Sequence, residues 1–185
     1  LSLTNQGEGV TLTQLPVREV QSLRKESMGW NGLTVTPTIP FMQKMNDDLL
    51  EIETDIDIQS DDEVQIRLKS SGRSEIVIGY DPVQQWLFID RSKSGVTEFH
   101  PSFAIKHGAR LAMKSGKIKL QIWLDRNAVE VYADHGLVTL TDQIFPDTPI
   151  EKIEVHVKTG IVVLDSLQIH SLESIHITDS VSVQK

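Results

Sequence analysis

The sequence predicts an all-β domain, either a sandwich or a barrel, and three observations favour this fold class. The 185 residues include 17 Val, 18 Ile and 13 Thr but only five Ala, and residues branched at Cβ favour strands whereas Ala favours helices. Apolar and polar residues alternate with a period of two in many segments, as they do in strands with one buried face. Turn-forming residues separate these segments every 8–12 residues or so, which is typical of sandwiches and barrels.

The alternating segments define the predicted strands in chain order. In residues 50–58 the apolar side chains occupy even positions and acidic ones lie between them, so one face is predicted to be buried. Residues 85–89 have apolar side chains at both odd and even positions, which predicts a strand covered on both faces. The remaining predicted strands are 64–69, 76–80, 118–124, 129–132, 137–140, 153–157 and 161–164.

Other segments are less regular. Apolar residues three apart in 16–27 favour one or two helical turns. Residues 173–185 alternate only weakly and are expected to form a terminal strand or a tail. His156 and His170 alternate with apolar strand residues, so we expect both to lie at a surface or an edge.

Composition and charge exclude several classes of protein. The chain has no cysteine, so disulfide frameworks, thiolate metal sites and cysteine nucleophiles are excluded. A formal net charge of −8 argues against nucleic-acid binding, because contacts to phosphate need Lys and Arg. No apolar run approaches the roughly 20 residues of a membrane-spanning helix, so no membrane partner is expected. With 39 % hydrophobic residues, the chain can still bury a substantial core.

Residue spacing indicates no catalytic, cofactor or metal site. The acidic runs 47–48 and 61–63 lie in predicted turns, where neighbouring carboxylates project outward instead of converging on a substrate. The six histidines show no pair at metal-ligand spacing. Residues 7–9 lack the third glycine and the helix of a phosphate-binding loop. We therefore predict no catalytic residue, no cofactor and no metal in this chain.

The aromatic residues are the candidates for a carbohydrate-binding or inter-domain contact surface, since ligand sites combine aromatic rings with a few polar groups. Trp123 falls on the polar face of its predicted strand, where it is exposed, buried against another domain or, as we favour, packed beneath a loop. Trp30 lies in a predicted turn and is a second contact candidate. The remaining contact candidates are Tyr80 with its neighbour Asp81, and Trp86. Tyr80 and Trp86 belong to segments apolar on both faces, so a core position is favoured for both aromatic residues.

Two predicted strands end in the same dipeptide. The pairs are Asp90-Arg91 and Asp125-Arg126. Carboxylates and guanidinium groups form bidentate, charge-assisted hydrogen bonds, so we interpret these pairs as ties between a strand end and a neighbouring loop. A role in ligand binding is the alternative.

The segment around Asp125 resembles a known family. Residues 123–136 and 141–146 are similar to the C-terminal domain of glycoside hydrolase family 32, which includes invertases, levanases and inulinases. That domain typically shows an apolar-Asp-Arg-Ser-x-Val-Glu-Val-Phe stretch, and here Asn127 replaces the Ser and Tyr132 replaces the Phe. Further matching segments are 12–17, 79–81 and 88–95. The residues expected to carry the structural motif are Asp90, Arg91, Asp125, Arg126 and Glu130.

The resemblance implies a fold and a partner. The fold is a β-sandwich of two antiparallel sheets with about six strands each, a concanavalin-like jelly roll, over residues 1–172 with a lead-in segment at 1–30. In this family the sandwich normally docks on a five-bladed β-propeller, which carries the catalytic carboxylates. The motifs of that propeller do not occur in this sequence. We therefore expect a non-catalytic accessory domain of a fructan- or sucrose-hydrolysing enzyme, inactive without its propeller.

Two further roles remain open at this stage. The alternative is a carbohydrate-binding module for a fructan, either levan or inulin, and a less favoured one is a free-standing lectin-like protein. The chain begins on a strand-like pattern without Met, so we expect it to be a piece of a longer polypeptide. The levanase-like motifs imply a secreted bacterial parent, with a cytoplasmic one as the alternative.

Overall fold

The computed structural model describes residues 1–5 and 9–175. Within these residues the chain forms fourteen strands and one short 3₁₀ helix, Arg18–Leu23. A terminal strand or tail is predicted for residues 173–185, and its part from residue 176 onward lies outside the described residues. In chain order the strands are β1 (Ser2–Asn5), β2 (Val10–Thr13), β3 (Arg24–Val35), β4 (Phe41–Lys44), β5 (Leu50–Ile58), β6 (Val64–Ser70), β7 (Glu75–Asp81), β8 (Trp86–Lys93), β9 (Lys106–Arg110), β10 (Lys117–Asp125), β11 (Ala128–Ala133), β12 (Val138–Gln143), β13 (Ile150–Val157) and β14 (Val162–Leu172).

The strands form a sandwich. In the described part of the chain, sheet I has six strands in the order β12-β11-β10-β5-β14-β3, and sheet II has six in the order β4-β13-β6-β7-β8-β9. Neighbouring strands pair antiparallel throughout both sheets. β1 and β2 form a separate two-stranded hairpin. The all-β class and the two-sheet arrangement are thereby confirmed, and of the two architectures it is the sandwich and not the barrel.

The core lies between the two sheets and follows the period-two pattern of the sequence. In β5 the side chains of Leu50, Ile52 and Ile56 are buried, and the acidic residues between Ile52 and Ile58 point to the other face. β10 repeats this alternation. Burying an aliphatic side chain of this size contributes about 1.5–3 kcal/mol, so the alternating strands supply most of the free energy that holds the sheets together.

Strand β8 is covered on both faces only in its centre. Leu87 and Ile89 belong to the core between the sheets. Phe88 is buried on the outer face, where the Nζ atom of Lys106 lies 3.4 Å from its ring centroid. The ring also crosses Gly79, at which an added Cβ would lie 2.1 Å from the Phe88 ring. A single aromatic side chain and its neighbours thus provide the second cover that the apolar run predicts.

Two of the sequence predictions for aromatic residues are wrong. Trp86 is not in the core, because it is the first residue of β8 and is 37 % exposed on the outer face. Trp30 lies within β3 and not in a turn, and its ring packs edge-on against Phe41 with centroids 5.1 Å apart. Tyr80 is in the core as favoured; its hydroxyl donates to the carbonyl of Leu111 at 2.8 Å, and burial raises its pKa to about 12.

Asp147 fastens the loop after β12 to the turn between β6 and β7. Its carboxylate accepts hydrogen bonds from the Ser70 hydroxyl at 2.8 Å, from the backbone N–H of Arg73 at 2.8 Å and from the Ser74 hydroxyl. These hydrogen bonds, led by that of Ser74, hold the pKa of Asp147 well below its usual value of 3.8. The ionised carboxylate therefore stabilises the folded state.

Replacing Asp147 with asparagine is expected to lower the melting temperature at neutral pH by about 2–4 °C. The folded-state pKa is depressed, so this stabilisation is present above the unfolded value of 3.8 and is lost as pH falls towards the folded value. Circular dichroism melts at neutral pH and below 3.8 measure the difference. Asp61→Asn, at an exposed carboxylate between β5 and β6, is the control. A Tm difference independent of pH would contradict the prediction.

Candidate functional site

A cavity lies between the outer face of sheet I and the segment that leads into the sandwich. Trp123, on β10, stands in register with Glu51 of β5 on one side and with Glu130 of β11 on the other. Pro16 and Val20 of the lead-in segment line the same cavity as Trp123. The indole is therefore half-buried beneath this segment, in the position that the sequence favoured.

The cavity has a volume of about 420 Å³, and we call it the Trp123 cavity. Its wall on the lead-in side is apolar and includes Val17 and Leu23. Its polar groups come mainly from the β10–β11 hairpin (Asp125, Arg126, Glu130 and Tyr132), and Glu173 and Ser174 after β14 also line it. The site thus combines an aromatic ring, an apolar wall and a cluster of polar groups, which is the usual composition of a small-molecule site.

The β10–β11 hairpin places these polar groups. Asp125 pairs with Ala128 across a two-residue turn, Arg126-Asn127, so the register of both strands is fixed from the turn. Asp125 Oδ1 accepts the backbone N–H of Arg126 at 2.8 Å, and Arg126 Nε lies 3.3 Å from Asp48 Oδ2. The alternate residues Trp123 and Asp125 therefore share the outer face with Glu130.

Glu130 and Tyr132 form a hydrogen-bonded pair in the cavity wall. The Tyr132 hydroxyl donates to Oε2 of Glu130. Burial, and next the hydrogen bond and charge of Glu130, raise the pKa of Tyr132 well above its usual value. The phenol therefore stays protonated at neutral pH, where it donates to the carboxylate.

The indole of Trp123 carries a buried donor. Its Nε1 atom is inaccessible to solvent and has no hydrogen-bond partner among the described residues. A buried donor without a partner costs about 1–3 kcal/mol. Because the atom is inaccessible to solvent, a molecule in the cavity does not reach it without a rearrangement of the site.

A buried polar network supports the floor of the cavity. Glu51 is fully buried, and Arg24 binds it through Nε at 2.6 Å and Nη2 at 2.7 Å. Gln121 Nε2 donates to the same carboxylate at 2.7 Å. Arg24 Nη2 also reaches Glu53 at 2.9 Å. Glu51 lies opposite Trp123 on the neighbouring strand, and Gln121 lies two residues before it on the same strand. This network therefore fixes the backbone that carries the indole.

The position predicted for His170 is wrong. Its side chain is buried on sheet I, with Nδ1 2.7 Å from the Ser27 hydroxyl and Nε2 3.3 Å from Glu53. Partners on β3 and β5 bury and satisfy the ring, and they are more than a hundred residues away in sequence. His156 lies half-exposed on the outer face of β13, as expected.

The Asp-Arg pairs connect strand ends to other elements through their arginines. Arg91 Nη1 lies 3.2 Å from the buried carboxylate of Asp142 and donates to a backbone carbonyl of β12 at 3.3 Å. Arg126 reaches Asp48 before β5. Asp90 accepts a backbone N–H two residues on, as an ordinary turn residue does. Neither contact is bidentate, so the geometry differs from the predicted one in that respect.

The structure brings together only part of the predicted set of contact residues. Trp30, Tyr80, Asp81 and Trp86 lie away from the Trp123 cavity. Asp81 caps its own turn by accepting the backbone N–H groups of residues 83 and 84 at 2.9 Å. The sequence reasoning missed Tyr132 as a cavity residue, although its position two residues after Glu130 places both on one strand face.

Two general properties complete the description. Within residues 1–5 and 9–175, no three His, Asp or Glu side chains converge in the manner of metal ligands. Over the same residues, no helix is both long enough and apolar enough to cross a membrane.

Comparison with known proteins identifies the family. The profile described as "Glycosyl hydrolases family 32 C terminal" matches residues 19–171. The chain belongs to this family. The levanase of Bacillus subtilis (strain 168) is 34 % identical to this family 32 domain over 172 residues, which is 91 % of the chain and 25 % of the levanase. An extracellular exo-inulinase of Aspergillus awamori is 37 % identical over 86 residues, or 46 % of the chain and 16 % of the exo-inulinase.

Solved structures agree with this assignment. The crystal structure of exo-inulinase from Aspergillus awamori superposes with a TM-score of 0.79 at 27 % identity, covering 94 % of the family 32 domain and 34 % of the exo-inulinase chain. A fructofuranosidase from Schwanniomyces occidentalis, complexed with fructose, superposes at 0.77 with 19 % identity, over 93 % and 39 % of the respective chains. The domain thus spans about a quarter or less of the curated relatives above, and the resemblance seen in the sequence is confirmed.

Proposed function

We propose that this chain is a non-catalytic accessory domain of a fructan-hydrolysing enzyme and that it stabilises a catalytic β-propeller domain of the same polypeptide. Family membership supports the accessory role, because the match is to the C-terminal domain of family 32. Most of the length of the related levanase has no counterpart in this sequence. The names of the relatives, levanase and exo-inulinase, indicate that the substrate of the parent enzyme is a fructan.

The observation that carries the proposal is an exposed apolar surface on the β1–β2 hairpin. Leu1, Leu3, Val10 and Leu12 are between 57 % and 84 % exposed. Leu3 and Leu12 lie directly opposite each other in the register, and the family match begins only at residue 19. Contiguous exposed apolar surface of this kind marks a contact with another protein surface. We assign the hairpin surface to the catalytic domain.

We propose that the parent enzyme acts outside the cell. One relative is named an extracellular exo-inulinase, and fructan polymers are too large to be taken up intact. The domain boundaries that we propose are a lead-in segment up to about residue 18 and a sandwich from 19 to 172, since the family match begins at 19 and β14 ends at Leu172. This lead-in is shorter than the residues 1–30 expected from the sequence, because residues 24–30 belong to β3.

The docking surface is tested in the longer enzyme that contains this domain. We expect Leu3→Ser combined with Leu12→Ser to lower the temperature of thermal inactivation by about 5 °C, because two apolar contacts are lost at the interface. The melting temperature of the isolated 185-residue chain should stay within about 1 °C, since both side chains are exposed there.

Val83→Ser is the matched control, because Val83 is 70 % exposed but lies in the turn between β7 and β8. It should change neither temperature. If the double variant and the control behave alike in the longer enzyme, the hairpin is not the docking surface and the proposal fails.

Activity measurements provide a second test. The purified 185-residue chain is expected to release no fructose from levan, inulin or sucrose. A retaining glycosidase needs two carboxyl groups about 5–5.5 Å apart on either side of the glycosidic bond. The family resemblance implies that these carboxyl groups belong to the propeller domain. Measurable release of fructose by this chain alone would overturn the accessory role.

A further inference from the structure

We propose that Asn31 is a site of spontaneous covalent modification, at which the folded domain converts its own asparagine to aspartate and isoaspartate. The site lies in β3, the strand at one edge of sheet I. The reaction needs no enzyme and no cofactor, and its only co-reactant is water. It involves no residue of the β1–β2 hairpin, so it is independent of the docking surface described above.

The chemistry depends on the residue that follows the asparagine. Asn31 precedes Gly32, and no other asparagine in the sequence precedes a glycine. The backbone nitrogen of Gly32 attacks the side-chain amide carbon of Asn31, a C–N bond forms, and ammonia leaves, which produces a five-membered succinimide ring. Water then opens the ring at one of its two carbonyl groups and yields aspartate or isoaspartate. Because glycine has no Cβ, the attacking nitrogen is unhindered.

The space around the two reacting groups is open. Asn31 and Gly32 are both exposed, and nothing lies within 4 Å of a Cβ built on Gly32. Within residues 1–5 and 9–175, the side-chain amide of Asn31 has no hydrogen-bond partner. The amide is therefore free to turn towards the main chain, and no neighbouring side chain blocks the closure of the ring.

The backbone of β3 is irregular at the same point, which is an independent observation. Trp30 and Leu33 both pack against the core although they are three residues apart, so the period-two alternation slips by one residue between them. Gly32 has a φ of +64°, and the pair that it would form with Asp165 is missing from the ladder between β3 and β14. A bulge leaves such a residue outside the ladder, so the main chain that must rearrange is held less firmly here than elsewhere in the strand.

The edge position of β3 adds to this freedom. In the described part of sheet I, β3 is paired only with β14. A strand with one neighbour opens locally at a lower free-energy cost than a strand that is paired on both sides. The attacking nitrogen can therefore approach the side chain of Asn31 without disruption of the rest of the sheet.

Either product places a new carboxylate in a row of polar residues that crosses sheet I. Asn31 lies opposite Ser166, Ser166 opposite Asp55, and Asp55 opposite Lys119. The Ser166 hydroxyl donates to Asp55 at 3.0 Å, and Lys119 Nζ lies 3.2 Å from Asp55 Oδ1. The row thus holds one carboxylate and one cation, and the modification adds a second carboxylate without a cation. Isoaspartate also lengthens the main chain of β3 by one carbon atom.

Two other asparagines serve as internal controls for exposure. Asn46 and Asn127 are exposed as Asn31 is, but they precede Asp47 and Ala128, whose Cβ atoms hinder the attacking nitrogen. If exposure alone decided the rate, all three asparagines would react equally. We expect Asn31 to react much faster, because only its neighbour lacks a side chain.

Mass spectrometry of the purified 185-residue chain, incubated in neutral buffer at physiological temperature, tests the site. Trypsin cleaves after Lys and Arg and releases peptides 26–44, 45–67 and 127–152, each with one asparagine. Peptide 26–44 is expected to gain the mass of the amide-to-acid conversion at least about tenfold faster than the other two. A sample digested without incubation corrects for conversion during the digest, and circular dichroism checks that the chain stays folded.

Chromatography of the modified peptide tests the route. Both aspartate and isoaspartate forms of peptide 26–44 are expected, because opening of a succinimide gives both whereas direct hydrolysis gives aspartate alone. Asn31→Gln is the matched variant, since its longer side chain would have to close a six-membered ring, and its peptide should keep its mass. Equal rates in the three peptides, a product without isoaspartate, or an unchanged rate in Asn31→Gln would each overturn the inference.

Discussion

Replacing Glu51 with alanine is expected to lower the free energy of unfolding by about 3–4 kcal/mol, which corresponds to a fall in melting temperature of about 6–16 °C. Glu51 is fully buried and accepts two hydrogen bonds from the guanidinium of Arg24 and one from Gln121. Without the carboxylate, the charge of Arg24 loses its principal partner in a largely buried position. Urea unfolding, followed by circular dichroism, measures the loss.

Glu53→Ala is the control for this experiment. Glu53 also binds Arg24, at 2.9 Å, but its side chain is 34 % exposed. Partly exposed ion pairs contribute about 0–1 kcal/mol, so this variant should cost much less. If Arg24 and Glu51 are both replaced, the loss should fall short of the sum of the single losses, because the two residues share one interaction. Equal losses for Glu51→Ala and Glu53→Ala would contradict the assignment.

Replacing Gly136 with alanine is expected to lower the free energy of unfolding by about 2–3 kcal/mol. Gly136 has a φ of +79°, where a side chain is strained, and an added Cβ would lie 2.0 Å from the backbone oxygen of Gln14. The backbone N–H of Gln14 donates to the Gly136 carbonyl at 3.0 Å. The substitution must displace the lead-in segment, and with it the apolar wall of the Trp123 cavity.

Gly32→Ala separates the two contributions to this effect. Gly32 has a similar φ of +64°, but nothing lies within 4 Å of an added Cβ. This substitution should lower the free energy of unfolding by about 1–2 kcal/mol, from backbone strain alone. Chemical denaturation of both variants measures the two losses in the free energy of unfolding. If Gly136→Ala costs no more free energy than Gly32→Ala, the lead-in segment does not depend on this contact.

The strands were predictable where burial is one-sided. β5 and β10 alternate strictly, since each has one face in the core, and this local pattern needs no knowledge of partners. Trp30 was misplaced because Gly29 and Gly32 beside it are typical of a turn, whereas in the structure they lie inside a long strand. The environment of His170 depends on Ser27 and Glu53, which only the completed sheet brings near.

The candidate site likewise has one part that the sequence predicts and one part that it does not. Trp123, Asp125 and Glu130 fall on one hairpin, so their proximity follows from the strand period and a two-residue turn. The opposite wall comes from residues 16–23, more than a hundred positions earlier. The sequence predicts a helical turn there and the structure has a 3₁₀ helix, Arg18–Leu23, but no periodicity indicates which face of the sandwich that turn covers.

The position of β14 has a consequence for how the protein is made. β14 is inserted between β5 and β3, and β3 has no other neighbour in the described part of sheet I. A nascent chain emerging from the ribosome therefore holds β3 without a partner in sheet I until β14 has been synthesised. Sheets assembled from such distant segments fold slowly, and their waiting edges are prone to aggregation. Translation that stops before Val162 should yield a product for the quality-control proteases and not a smaller sandwich.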